Sequence, residues 1–410
     1  MTPFELLHTP SALGAFFFTK KYDRSYKANP TRRSAKANRS CARGNALGEP
    51  AGTGPHAISV RKTGGLMSAR ADDLPRRIEA MVSECSARSV KALVVLAMTL
   101  LPWTASADEG GVPFWWSGAN ASLAAVPEVP GWGLALLPYY YNGSADSSKS
   151  FHRGDAIVAG LAAQSPLLFA WLGYASETKI LGGQPYVGLG WGVARNSTQA
   201  DVSVSLSDLA PTRNRSDSIV GGMDLYPIVR LAWTQGDDNW MTYLTGDIPT
   251  GAYNSQRLSN VGLGHGAIDA GGGYTYLNNT NGREFSAVVG FTYSWENTDT
   301  NYKNGVDSHL DWAASQFLSA NWEIGVVGYV YYQLSADSYP TSGAAGALRS
   351  HALGSFKSRV AAAGPEVGYV FKVAGQPAYL NLRAYWEFWA QNRVEGYALF
   401  ATVSIPLSSH

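Results

Sequence analysis

Eight side chains that carry charge or can take it up sit in this 410-residue sequence inside short segments that otherwise alternate apolar and polar residues. They are Arg230, Asp247, His309, Asp311, Glu323, Glu366, Arg383 and Glu387, with Tyr329 and Tyr385 among them. Each lies opposite the apolar stripe of its segment or at its edge. His309 and Asp311 are two apart, so on a strand they share a face and could ligate a metal or form part of a base pair. One His with one Asp is a thin constellation, and polar lining of an interior is the plainer reading. The run Gly262-Leu263-Gly264-His265-Gly266 has no helix to follow it, so it does not read as a phosphate cradle. No serine occupies a Gly-x-Ser-x-Gly elbow. No catalytic residue, metal or cofactor is expected.

The elements that must position these groups show as period-two alternation. In FSAVVGFTYSWE, Phe285, Ala287, Val289, Phe291, Tyr293 and Trp295 oppose Ser286, Val288, Gly290, Thr292, Ser294 and Glu296. Ile324, Val326, Val330 and Tyr332 likewise oppose Glu323, Tyr329, Tyr331 and Gln333, and Leu382, Ala384, Trp386 and Phe388 oppose Arg383, Tyr385, Glu387 and Trp389. Thirteen such segments are predicted: 132–142, 154–163, 166–176, 185–198, 218–234, 239–247, 267–277, 284–296, 308–318, 322–334, 360–373, 378–390 and 394–405. Turn chemistry separates them, as at Asn278 to Gly282 and Gln391-Asn392. A closed bacterial barrel takes an even number of strands, so one pair should be merged or one segment is wrong. Twelve strands are expected, with fourteen as the alternative.

Alternation alone would also suit a soluble β-sandwich. An internal export signal argues for a membrane barrel. SVKALVVLAMTLLPWTASADE, from Ser89 to Glu109, has Arg88 and Lys91, an apolar core over 92–101, a break at Pro102 and a small-x-small site at Ala105-Ser106-Ala107. That core is too short to span a bilayer as a helix, which takes about 20 residues. Up to Ala107 there are 16 Lys+Arg against 7 Asp+Glu, and from Asp108 onward 16 against 24. Residues 1–80 are basic with no sustained apolar period, so they read as disordered or as an over-extended start, with Met81 or Met67 the true one; a nucleic-acid-binding arm or a transit peptide are the alternatives. Both cysteines, Cys41 and Cys85, precede the cut, so no disulfide or catalytic thiol follows it. After it come 37 of the 44 Gly, 12 of the 13 Trp and 20 of the 22 Tyr. Aromatics cluster near strand ends, where rings with one polar edge suit a membrane interface.

Several stretches carry a family resemblance: Phe114 to Trp132 (FWWSGANASLAAVPEVPGW), Gly246 to Tyr253 (GDIPTGAY), Asp269 to Tyr276 (DAGGGYTY), His309 to Phe317 (HLDWAASQF), Tyr385 to Gly396 (YWEFWAQNRVEG) and Ser404 to Leu407. In this order, over nearly everything from Gly111 to Leu407, the sequence resembles the family called "MetA-pathway of phenol degradation". The resemblance implies an exported outer-membrane barrel passing small, often hydrophobic or aromatic, molecules. Its motifs are strand and turn patterns, and the substrate does not carry over. The chain ends Leu407-Ser408-Ser409-His410, without the terminal aromatic of many outer-membrane barrels.

The sequence thus predicts an all-β, antiparallel transmembrane barrel over 131–407, preceded by an extension (1–80), a signal peptide (81–107) and a lead-in (108–130). Val126-Pro127 and Val129-Pro130 forbid a continuous strand in the lead-in. Phe114, Trp115 and Trp116 are expected to plug the lumen, the alternative being a segment on the barrel rim. Arg230, Asp247, His309, Asp311, Glu323, Tyr329, Glu366, Arg383, Tyr385 and Glu387 are expected to line the lumen or touch the permeant, with Asp311, Glu323 and Glu366 as candidate acids for Arg383. The expected partners are outer-membrane lipid, small hydrophobic or aromatic permeants and the barrel-assembly machinery, with no nucleic acid. The expected function is a passive uptake channel in a Gram-negative outer membrane; the alternatives are a structural outer-membrane protein or a barrel hydrolase whose His, Ser and Asn meet across strands.

Overall fold

The computed structural model describes residues 113–354, 356–373 and 375–407. The extension 1–80, the signal 81–107 with its cut near Ala107, Cys41, Cys85 and residues 108–112 lie outside the described residues.

The chain runs through β1 (Gly131–Ser144), β2 (Ser150–Arg153), β3 (Ala156–Ala175), β4 (Gln184–Ser205), β5 (Pro211–Gly222), β6 (Tyr226–Gln235), β7 (Asp238–Asp247), β8 (Ala267–Asn278) and β9 (Arg283–Ser294). It continues with β10 (Glu296–Asn297), β11 (Tyr302–Lys303), β12 (Val306–Phe317), β13 (Trp322–Gln333), helix α1 (Gly343–Leu353), β14 (Arg359–Val373), β15 (Gln376–Gln391) and β16 (Glu395–Pro406). Twelve strands close into an antiparallel ring in the order β1-β16-β15-β14-β13-β12-β9-β8-β7-β6-β4-β3, with β3 returning to β1. The seam is the pairing of first and last strands, from Gly133 opposite Pro406 to Ser144 opposite Glu395. Two further strands extend the sheet: β2 pairs with the start of β3, and β5 pairs with the far half of β4. The start of β1, the end of β16 and the turns at 176–183, 236–237, 279–282 and 318–321 share one rim, here the turn end; the connections at 248–266, 295–305, 334–358 and 392–394 share the other, the loop end.

Alternation sets which residues face out. Phe285, Phe291, Val326, Leu382 and Trp386 project outward and are each more than 40% exposed. Their neighbours Ser286, Thr292, Val327, Arg383 and Tyr385 are buried inside. An apolar band right round a barrel is far larger than the patches a water-soluble surface carries. Hydrocarbon suits it, and closure leaves no strand edge unpaired there. No helix among the described residues is long and apolar enough to cross a membrane.

Two boundaries differ from expectation. The segments 154–163 and 166–176 are one strand, β3, and merging them gives the twelve. Pro166 has no N–H to donate, and pairing with β4 lapses between Gln164 opposite Ser197 and Leu167 opposite Ala194. On its other side β3 stays in register with β1, Tyr140 opposite Pro166, so the strand survives. The segment 218–234 is in turn two strands, broken at Met223 to Leu225, where β4 changes partner from β5 to β6. The break lets Asp224 accept N–H bonds from Gly251 at 2.7 Å and Leu263 at 2.8 Å, tying down the 248–266 connection.

Trp389, expected inside with Glu387, is 49% exposed. Its φ is +63°, and the β14–β15 register shifts between Arg359 and Ala361, so one extra residue turns the ring outward beneath the Arg359 guanidinium.

Candidate functional site

Residues 113–130 form no strand, Pro127 and Pro130 lacking the N–H of a ladder, so their backbone must find partners elsewhere. It finds them on side chains that the strands turn inward. Asp311 on β12 accepts the N–H groups of Gly118 at 2.9 Å and Asn120 at 3.2 Å. Glu284 on β9 accepts the N–H of Leu123 at 2.9 Å, Ser286 that of Ala124 at 3.2 Å, and Thr275 on β8 that of Ala125 at 2.9 Å. From β15, Tyr385 donates to the Gly118 carbonyl at 3.1 Å and Arg383 to that of Ala119 at 3.4 Å. The segment therefore lies inside the barrel, and Ala121 through Val126 are all buried. Its small residues let it pass between opposite walls. Nearer the turn end Glu128, fully buried, forms an ion pair with Arg230 of β6, whose guanidinium lies 4.8 Å over the Tyr186 ring.

Three rings lead the segment. Phe114 stacks on Tyr226 with centroids 5.8 Å apart. Trp115 lies flat on His309, 3.7 Å between centroids and 11° between planes, and stacks on Tyr243 at 5.6 Å. Trp116 meets Phe169 edge-on at 4.8 Å. Under Trp115, His309 Nε2 lies 3.0 Å from Asp269 and 3.3 Å from the Tyr243 hydroxyl. Gly290 makes this crowding possible, since a Cβ there would collide with the Tyr243 hydroxyl and the His309 ring.

The ten lumen residues picked from the sequence are all buried on the inner face, but they divide among different groups. Asp311, Arg383 and Tyr385 hold the N-terminal segment, and Arg230 pairs with it. His309 and Asp311 do not act on a common partner. Glu366 accepts a bond from Ser122 at 2.5 Å and one from Asn381 at 3.0 Å, and Glu323 accepts the Tyr379 hydroxyl at 2.6 Å. Glu387 holds two phenols, Tyr329 at 2.8 Å and Tyr141 at 2.7 Å, besides the Gly396 N–H at 2.9 Å. Asp247 is buried, with neither oxygen hydrogen-bonded among the described residues. Arg383 takes no acid: among the described residues no carboxylate oxygen stands within 4.0 Å of it. It donates instead to Asn381 at 2.9 Å and lies 4.9 Å over Phe400. Asp311, Glu323 and Glu366 are already committed to the N-terminal segment or to the Tyr379 and Asn381 side chains.

Glu128, Asp269, Glu284 and Ser122 were missed by sequence reasoning. Glu284 has the parity of Ser286 and Thr292 on β9, so its face was readable; its partner across the barrel was not. Replacing Asp311 by Ala removes the acceptor for two N–H groups, and a bond to a charged acceptor contributes about 1.5–3 kcal/mol. The expected result is an intact barrel whose N-terminal segment becomes cleavable by added protease; equal protection would show that Asp311 does not hold it.

Beyond the three rings, towards the loop end, lies a chamber of about 210 Å³. Trp116, Tyr139, Tyr141, Tyr226, Tyr253 and Tyr329 supply aromatic lining, and Arg153, Glu387 and Arg393 are the charged residues on it. A second concavity of about 550 Å³ opens on the barrel wall, lined by Pro138, Pro365, Leu382, Ala384, Leu399 and Ala401 with Glu366 and Arg383 at its edge. Pairing lapses beside it, between Ala363 and Glu366 on β14 and between Leu136 and Tyr139 on β1.

Among solved structures the fold is similar to that of an outer membrane channel from Pseudomonas putida F1, with 12% identity and a TM-score of 0.50, covering 67% of this chain and 95% of that one. A FadL homologue from Pseudomonas aeruginosa matches at 7% identity and a TM-score of 0.37, over 75% of this chain and 99% of that one. The transport unit of the autotransporter AIDA-I from Escherichia coli matches at 10% and 0.35, over 68% and 90%. A search of the curated proteins gives no match. The sequence itself matches the family described as "Putative MetA-pathway of phenol degradation" over residues 147–403, most of the barrel, and the chain belongs to that family.

Proposed function

We propose that the protein is an outer-membrane channel for passive uptake of small hydrophobic or aromatic molecules. Residues 81–107 act as its export signal, ending near Ala107, and residues 108–130 act as its plug. The observation that carries this reading is an aromatic chamber on the loop side of a lumen filled by its own N-terminal segment. The segment is held by side-chain hydrogen bonds, one ion pair, stacked rings and the packing of Leu123 and Val126 on Leu277 and Phe317, and no strand ladder joins it to the wall. A permeant would enter from the loop end, rest among the rings and move on as the segment gives way. The lining network selects among permeants, with Arg383 against the N-terminal segment and Glu387 on the chamber wall. For a hydrolase built on His309, the Nε2 that a serine would need is spent on Asp269 and Tyr243 under Trp115.

The test is uptake of a panel of phenols, aromatic acids and alkanes by a deletion strain and its complemented parent. Complementation should restore uptake of at least one ring compound, and the protein should migrate faster on SDS gels when unboiled. Equal uptake by both strains across the panel would remove the channel reading. Peptides from residues 1–66 in native material would overturn the expectation of a later start.

A further inference from the structure

Arg393 sits in the short connection between β15 and β16 and is 8% exposed on the wall of the chamber. Its guanidinium lies 5.0 Å over the Tyr331 ring, and its Nε and Nη1 have no hydrogen-bond partner among the described residues. A buried guanidinium normally satisfies its donors on a carboxylate or carbonyl, because orphaned donors are costly. Glu387 is the acid on the same wall, yet it is not within ion-pair distance of Arg393. Both its oxygens are occupied, Oε1 by Tyr329 and Oε2 by Tyr141 and Gly396. Its two phenols and a backbone amide hold it in place and disperse its charge. The chamber wall thus sets Arg393 beside a carboxylate whose oxygens are already occupied, on a lining of rings.

Size sets the second condition. A cavity of about 150 Å³ accepts benzene, so about 210 Å³ holds one ring with a small substituent. The unmet demand is for a charged acceptor, which takes a stronger N–H bond from a guanidinium than a hydroxyl does. Resting on the channel reading above, the geometry points to a small monocyclic aromatic carboxylate as the occupant of this chamber, its carboxylate on Arg393 and its ring among Trp116, Tyr139 and Tyr226.

The test is calorimetric titration of the full barrel in lipid nanodiscs with benzoate, benzyl alcohol, benzylamine and acetate. Benzoate should bind tightest, and acetate, lacking the ring, should bind weakly. In Arg393→Gln, benzoate should lose about tenfold to a hundredfold in affinity, the equivalent of one charge-assisted contact, while benzyl alcohol stays unchanged. Arg393→Lys should recover part of the loss. Benzyl alcohol binding the wild type as tightly as benzoate would overturn the proposal, as would unchanged benzoate affinity in a folded Arg393→Gln barrel. If the glutamine variant does not fold, the wild-type ranking decides by itself. Benzoate flux into proteoliposomes separates the two readings: binding with the stated ranking but no flux of any ring compound sinks the channel and leaves the chamber, whereas flux of neutral rings without carboxylate preference does the reverse.

Discussion

A chain lacking residues 114–126 will insert as a closed barrel and pass several-fold more current per channel than the intact protein. The deletion leaves every wall strand from Gly131 onward and keeps Glu128 for Arg230, so the ring has no reason to open. It removes the three rings and the backbone that cross the lumen. The inward groups left behind, Asp311, Glu284, Ser286 and Thr275, are polar and can be hydrated, so water replaces the segment instead of the wall collapsing. Planar-bilayer recordings read the difference directly. Conductance equal to that of the intact chain, from a barrel with normal heat-modifiable migration, would mean the barrier lies elsewhere.

Glu128→Ala is the most damaging single change expected. It strips a fully buried carboxylate from Arg230, whose side chain is 4% exposed. An ionised guanidinium left unpaired in such a place costs about 3–5 kcal/mol, whereas replacing both partners by neutral groups is often harmless. Glu128→Ala should therefore lower the temperature at which the folded band disappears on SDS gels, and Glu128→Gln with Arg230→Met should restore most of it. A Glu128→Ala protein as heat-resistant as the parent would show that Arg230 finds another partner.

The barrel was legible because its strands have one wet and one greasy side, and parity carries that through every residue. Arg230, Glu323, Glu366 and Arg383 could be assigned to the interior for that reason alone. Parity fails where a strand leaves the two-sided environment. The start of β5, PTRNRSDS, is exposed or half-exposed throughout and shows no apolar stripe, so the strand was placed seven residues late. Pro166 looked like a boundary because a proline removes a ladder bond, yet only one of its two neighbours needed it. The site was half legible: parity gives the face of a residue, but the angle round the ring and the course of residues 113–130 decide its partner. Arg383 shows the limit, with Glu366 directly opposite it in register and its bonds going to Asn381 and Ala119.

The N-terminal segment is made first, yet its anchors are made last. Gly118 is 193 residues from Asp311 and 267 from Tyr385, among the longest separations bridged by a side chain in the described residues. The loop-closure entropy of such contacts is lost before they give anything back. Until β12 and β15 have taken their places, Gly118 and Ala119 have no anchor and Trp115 has no His309 to lie on, while Phe114 and Trp116 need only β6 and β3. Trp115 stays without its floor until β12 is in place, and the trio is sealed in only when β16 meets β1. Assembly of this barrel therefore ends at its beginning, and the same three rings that would block the pore are the stickiest part of the chain while there is no pore to block.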